Sequence, residues 1–354
     1  MAYTTIDDPS AYFQTTLYTG NGSDGHAITN GGNSDLQPDW TWIKYRPAGV
    51  SHVTYDSTRG ATKRLYVDFA STEATVATGL KSFDSDGFTL GTLGESNANT
   101  VTFASWNWGA NAGTTSSNSN GSITSTVQAN TTAGFSIVSY TGTGSTATVG
   151  HGLGKAPAWI LVKSRTTSSN WTVRHHKTAN NYDFLSLNTD DGPTANDSCW
   201  TQTDPTSSVF SIGTASATNQ SSIGYIAYCF AEIQGYSKIG KYLGNGESNG
   251  TFVHTGFKPE FIIWKDIGGS GNGWFVVDAQ RNPFNSDKNK YIRADESGAE
   301  GGASKLLDMF SNGFKLMNAD SAINSAGRSY IYMAFAKNPF VTSNTGNSIP
   351  TTAF

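Results

Sequence analysis

The sequence predicts an all-β protein made of three tandem, homologous antiparallel β-sandwich units of jelly-roll or lectin-like type. Three observations carry that expectation: glycine-rich turns, short aromatic strands between them, and a long internal repeat. Glycine supplies 39 of the 354 residues, aromatics 12% and charged residues only 14%. Aromatic and β-branched side chains set between Gly, Asn, Asp and Ser clusters read as short strands and turns. The chain is too long for one ordinary core, so several units are expected.

The repeat is read from five landmarks that keep one register. A turn string opens each unit: YTGNG at 18–22, YTGTG at 140–144 and YLGNG at 242–246. A proline-led aromatic strand follows, PDWTWIK at 38–44, PAWILVK at 157–163 and PEFIIWK at 259–265. Proline suits a strand start, where no ladder N–H is needed. Then come HVTYD at 52–56, WTVRH at 171–175 and WFVVD at 274–278. The fourth landmark is centred on Phe88, Phe210 and Phe314. The fifth is a closing strand, FASWNW at 103–108, YIAYCF at 225–230 and YIYMAF at 330–335. The closing strands are apolar at nearly every position, which predicts cover on both faces. Helix is scarce, with 303–310 (ASKLLDMF) as the best candidate.

The boundaries follow from the repeat. Units are expected at 1–108, 135–236 and 237–340, with a Ser/Thr/Gly-rich linker at 109–134 and a polar tail at 341–354 ending on Phe354. Within the linker, 122–127 reads as an added edge strand. The short joint at 231–241 carries Ile233 and Tyr236, which predicts tight packing of the second and third units. Cys199 and Cys229 are read as free, half-buried thiols, as in a protein assembled in a reducing cytoplasm.

Composition also excludes classes. A net charge of −4 leaves no basic stripe for nucleic acid. No apolar run is long enough to insert in a membrane, and the start MAYTTIDDP is no signal peptide.

The search for chemistry yields few candidates. No metalloprotease, CxxC, nucleophile-elbow or P-loop string occurs. Asp84 and Asp86, in DSDG, resemble the opening of a calcium loop, but their sister positions carry no carboxylates, and a hairpin turn is the preferred reading. His175 and His176 point to opposite faces of a strand and cannot chelate one ion. His175 aligns with Asp56 and Asp278, each followed three residues later by an arginine (Arg59, Arg281), which reads as a turn closed by a local ion pair, of little worth if exposed. Asp190/Asp191 and Glu296/Glu300 have no counterparts in the other units, so a catalytic acid pair is not expected. The expectation is a non-enzymatic protein with no catalytic, metal or cofactor residues. Trp106 and Trp200 are candidate aromatic platforms.

The strings AYTTIDDPSAYFQTTLYTGNG, PDWTWIKYR, GLKSFDSDGFTLG, TTAGFSIVSYTGTG, VGHGLGKAPAWILVK, DMFSNGF and YIYMAFAKNPF together resemble a family of marine bacteriophage virion proteins, cyanophage and pelagiphage types included. Members are labelled virion structural or tail-fibre proteins, and the likeness runs from Ala2 to Phe340. It implies a virion location, as tail fibre and receptor-binding protein or as head decoration. Its implied partners are other capsid or tail proteins, host surface glycans and further copies of the chain. A lectin-like glycan-binding module is the alternative, and a polysaccharide-degrading tailspike ranks last. The segments that differ most among the units, 65–79, 188–203 and 282–302, are expected to be the recognition loops. Trp200, in the second of them, is the expected partner contact.

Overall fold

The computed structural model describes residues 3–341, apart from positions 270, 284 and 303. Almost all regular structure in the described chain is strand, arranged as β-sandwiches. In the first lobe, β1 (Phe13–Thr19), β2 (His26–Ile28), β3 (Trp40–Tyr45), β4 (Val53–Asp56), β5 (Lys63–Tyr66), β6 (Ala74–Thr75), β7 (Leu80–Asp84), β8 (Gly87–Leu90) and β9 (Thr102–Trp108) form two sheets. Their orders are β1-β9-β3-β4-β5-β6 and β2-β8-β7. The second lobe holds β10 (Ser116–Asn118), β11 (Ser125–Asn130), β12 (Phe135–Thr141), β13 (Ala147–Gly150), β14 (Trp159–Ser164), β15 (Thr172–His175), β16 (Asp183–Ser186), β17 (Thr194–Ala195), β18 (Val209–Ile212) and β19 (Gly224–Phe230). Its sheets run β10-β11-β12-β19-β14-β15-β16-β17 and β13-β18. The third lobe holds β20 (Ser237–Leu243), β21 (Phe252–His254), β22 (Phe257–Asp266), β23 (Trp274–Asp278), β24 (Ile292–Arg293), β25 (Leu307–Phe310), β26 (Gly313–Leu316) and β27 (Ser329–Pro339). Its sheets run β20-β27-β22-β23-β24 and β21-β26-β25. One strand order thus recurs in the three large sheets, and Phe88, Phe210 and Phe314 sit on β8, β18 and β26, matching strands of the small sheets.

The closing strands sort their side chains with the two-residue period of a strand. Phe103, Tyr225 and Tyr330 face their own lobe's sandwich core. Trp106 and Trp108, Tyr228 and Phe230, and Met333 and Phe335 face away from it, into one cluster shared by all three lobes. At its centre the last aromatics of the three closing strands meet in a triangle. Ring centroids are 6.4 Å apart for Trp108–Phe230, 5.8 Å for Phe230–Phe335 and 5.8 Å for Trp108–Phe335. Each large sheet is therefore covered on both faces, by its own small sheet and by its two sister sheets.

The opening turns have a common construction. Gly20, Gly142 and Gly244 lie so close to the chain before the closing strand that a Cβ would come within 2.3 Å of a carbonyl oxygen. Two residues on, Gly22, Gly144 and Gly246 take φ of 69°, 76° and 73°, the left-handed region that glycine tolerates. A buried asparagine clamps each turn. Asn219 Oδ1 accepts from the Thr143 amide (2.8 Å), while its Nδ2 donates to the Ser145 and Gly213 carbonyls (2.6 and 2.7 Å). Asn97 and Asn324 do the same for the first and third turns.

Three expectations change. The 109–134 segment carries β10 and β11, and its start is fastened by Asp39, which accepts from the amides of Ala110, Ala112 and Gly113 at 2.7–2.9 Å. In place of the helix expected at 303–310, Leu307–Phe310 is β25, because Leu307 and Met309 pair with β26 and face the third core. The helices α1 (Gly94–Asn97) and α2 (Ser216–Asn219) are one turn each. The joint at 231–241 packs as expected, with Ile233 and Tyr236 in the shared core. Cys199 and Cys229 are free and fully buried rather than half-buried. The tail beyond residue 341, Phe354 included, lies outside the described residues.

Candidate functional site

Several buried charges serve the places where lobes meet, and the contacts run in a cycle. Trp171 Nε1 of the second lobe donates to the Tyr66 carbonyl of the first (2.7 Å), and Trp274 Nε1 of the third to the Ser186 carbonyl of the second (2.8 Å). His52, at the same place in the first lobe, faces the Arg293 and Glu296 carbonyls of the third, though its Nε2 reaches neither at normal hydrogen-bond geometry. Lys44 Nζ donates to the Ser297 carbonyl (2.8 Å) and Lys163 Nζ to the Ala70 carbonyl (2.9 Å), again between lobes. Burial holds these two lysines and Lys265 down to about 8.

The aspartates of the expected turn ion pairs are fully buried hubs. Asp56 pairs with Arg59 and accepts from the Tyr228 hydroxyl of the second lobe (2.6 Å). Asp278 pairs with Arg281 at 2.6 Å and accepts from Trp106 Nε1 of the first lobe (3.1 Å). Glu73 bridges Arg59 and Arg165, and Glu300 bridges Arg281 and Arg46. At the third interface His175, Thr178, Ile267 and Met333 stand where the others have Asp, Arg, Arg and an aromatic donor. The whole set is replaced together. There His175 and His176 take backbone carbonyls of the third lobe, Tyr332 at 3.4 Å and Ile239 at 2.8 Å.

The hairpin turn expected at Asp84 and Asp86 is present, whereas the expected aromatic platforms are buried. Asp84 accepts from Ser82 and Thr89, and Asp86 from the Leu36 amide, so both carboxylates brace the β7–β8 hairpin. Among the described residues no group of three or more His, Cys, Asp or Glu is placed to hold a metal. Trp200 is 0% exposed, against Phe210 in the second sandwich core, so it is no partner-facing platform; Trp106 is buried in the shared core. The variable segments dock on neighbours instead of projecting freely. The Glu73 amide bonds the Arg165 carbonyl (2.8 Å), the Glu300 amide the Arg46 carbonyl (2.8 Å), and the Gly271 amide the Asp190 carbonyl (3.2 Å).

One buried carboxyl is not consumed. A cavity of about 480 Å³ opens between the first and third lobes, lined among others by Gln14, Thr15, Leu17, Glu260, Gln280 and Lys337. Glu260 is only 5% exposed, and neither carboxyl oxygen has a hydrogen-bond partner at normal geometry, although Gln280 and Thr15 face it. Its nearest cation, Lys337 Nζ, stands 4.0 Å away on a half-exposed side chain. Burial pushes the carboxyl up to about 8, against the pull of Lys337 and with a small push from Asp278. At neutral pH it is a carboxylic acid, with one donor and an acceptor to offer. The Thr15 hydroxyl beside it is also buried and unpartnered.

Backbone geometry aims this side chain. β22 and β27 are longer than their counterparts, and their register shifts around Pro259–Phe261, leaving Glu260 as the extra residue of a β-bulge. Bulges re-aim side chains and recur beside functional sites. The repeat carries a signal that sequence reading missed. Glu260 aligns with Asp39 and Ala158, so one unit has an acid capped by backbone amides, one has none, and one has an acid with no backbone cap.

These features define an all-β protein of packed sandwiches around a shared core, with an open polar cavity beside Glu260. The chain belongs to a family known by its domain of unknown function, DUF7483, whose model matches residues 8–339. That single match spans all three lobes. No curated protein and no solved structure matches the chain.

Proposed function

We propose that this chain is a non-enzymatic structural protein of the bacteriophage particle surface, as tail fibre and receptor-binding protein or as head decoration. The observation that carries this reading is the consumption of buried charge: Asp56, Asp278, Arg59, Arg281 and the three lysines serve contacts within or between lobes. Such a body is a scaffold with fixed surfaces. The resemblance of the repeat strings to phage virion proteins supports the same reading, as do two buried, unpaired thiols that need no oxidising compartment. Its partners would be capsid or tail proteins and further copies of itself. The exposed Phe69 on the first lobe, and Leu243 and Phe252 on the third, are among the apolar side chains available for that contact.

Mass spectrometry of purified particles with copy counting tests the proposal. Hundreds of copies per particle assign the head, a few trimers assign the tail, and absence from particles overturns the virion reading. A fall in polysaccharide viscosity that one acid-to-alanine change abolishes would overturn the non-enzymatic part. The Glu260 cavity favours a second reading, a glycan-binding module, which is compatible with a particle-surface position.

A further inference from the structure

We propose that the cavity between β1, β22 and β27 is a saccharide-binding site, in which both oxygens of Glu260 and the hydroxyl of Thr15 bond to hydroxyl groups of an uncharged sugar. The inference deepens the glycan-binding reading and rests on it.

The first argument is the unpaid polar account of the site. Buried carboxyls and hydroxyls are almost always hydrogen-bonded, and leaving one unpartnered is costly. Glu260 and Thr15 are adjacent and buried, and neither is partnered at normal hydrogen-bond geometry, Thr15 and Gln280 being the groups that face the carboxyl. The contrast with Asp39 sharpens this, since at the matching position three backbone amides and the Ser57 hydroxyl satisfy the carboxylate. In the third lobe the chain after the closing strand continues as β27 to Pro339 instead of curling over the acid. The donors that a capping turn would bring are left for something else to supply.

The second argument concerns the walls. β1 is the edge strand of its sheet, so one row of its backbone groups has no strand partner. Gln14 is held rigid, donating to the Ser10 and Ser34 carbonyls and accepting from the Gly32 amide. Gln280 and Asn338 add side-chain amides, each both donor and acceptor. Leu17, 38% exposed, offers an apolar surface for the C–H face of a sugar ring. The volume falls within the usual range for small-ligand sites.

The third argument selects the ligand class. No second acid lines the cavity, so a metal ion would find one carboxyl and neutral groups. Lys337 at the rim opposes an ammonium ligand, and an anion would have to approach a carboxyl. A neutral polyhydroxyl compound matches groups that both donate and accept.

Binding of the full-length chain to an array of neutral hexose and deoxyhexose oligosaccharides, followed by titration of the best ligand, tests the site. Ethanolamine serves as the amine probe. Wild type should bind, Glu260→Ala and Thr15→Val should each weaken binding about tenfold, and Glu260→Gln should stay within a few-fold of wild type, since an amide keeps a donor and an acceptor. Asp84→Asn, at the distant hairpin, should change nothing, and melting temperatures within a few degrees of wild type establish folding. Array binding that ignores Glu260 and Thr15 overturns this site and leaves the glycan reading standing elsewhere on the surface. No binding to any oligosaccharide overturns both. Loss in Glu260→Gln equal to that in Glu260→Ala, or preferential binding of ethanolamine, overturns the saccharide assignment.

Discussion

Glu260 and the aspartates of the lobe interfaces meet the burial of a carboxyl in opposite ways. Asp56 and Asp278 each have an arginine within their own turn and a donor from another lobe, and removing either partner would strand a buried charge. Glu260 has neither, and stays protonated instead. This fixes a pH dependence. Its ordinary value is 4.5 and its folded value about 8, so the unfolded chain releases the proton first. The stability contributed by the neutral acid is fully present below 4.5 and is lost as pH rises through 8. Glu260→Gln has no such titration. Urea unfolding of both proteins across this range should show the wild-type stability falling relative to the variant between pH 4.5 and 8, then levelling; a constant difference would contradict the raised value. Little of this was legible beforehand. The Asp–Arg spacing was visible in the sequence, but spacing carries no burial, and the shared core alone removes the water. Trp200 misled for the same reason: a tryptophan in a polar string reads as exposed until its loop is seen folded over Phe210.

At the level of elements, strands and turns were the legible part. The YTG turn, the proline-led strand and the closing strand each announce themselves because local geometry demands particular residues: glycine where a carbonyl presses close, alternating apolar faces where two cores must be fed. The asparagine clamps escaped notice although Asn97, Asn219 and Asn324 each precede the closing strand by the same interval. An asparagine amid Ser and Thr looks like loop. Their role makes the turn a unit, with a direct consequence for Gly142. A Cβ there would meet the Gln220 carbonyl at 2.3 Å, so Gly142→Ala must push apart the opening turn and the chain after α2. Overpacking of this kind costs about 1–3 kcal/mol, read as a lower urea midpoint at unchanged slope. Unchanged stability would mean that the close approach is absent. The bulge at Glu260 is the counterexample to legibility, since it depends on β22 and β27 running on past the length their counterparts use, which PEF beside PDW and PAW does not reveal.

The arrangement of the whole molecule departs furthest from the sequence reading. The sequence predicts tight packing of the second and third units and cover on both faces of the closing strands, but with a polar linker after the first unit it does not bring all three together. Nothing local in Trp108, Phe230 or Phe335 says that they meet one another. Yet their side of each closing strand is as apolar as the side facing its own sandwich, and that surplus is the trace of the shared core. The cycle of contacts, second lobe to first, third to second and first to third, follows from closing three sheets around that core. It also explains why the variable segments are docked: they bridge adjacent lobes. A large sheet stripped of its sisters would expose a whole aromatic face, so no lobe is expected to keep its structure alone. Scanning calorimetry of the full chain tests this central claim most directly. One endotherm, with calorimetric enthalpy equal to the van't Hoff enthalpy, is the result for three lobes on a common core; two or three separable transitions would show that the lobes unfold independently and would contradict it.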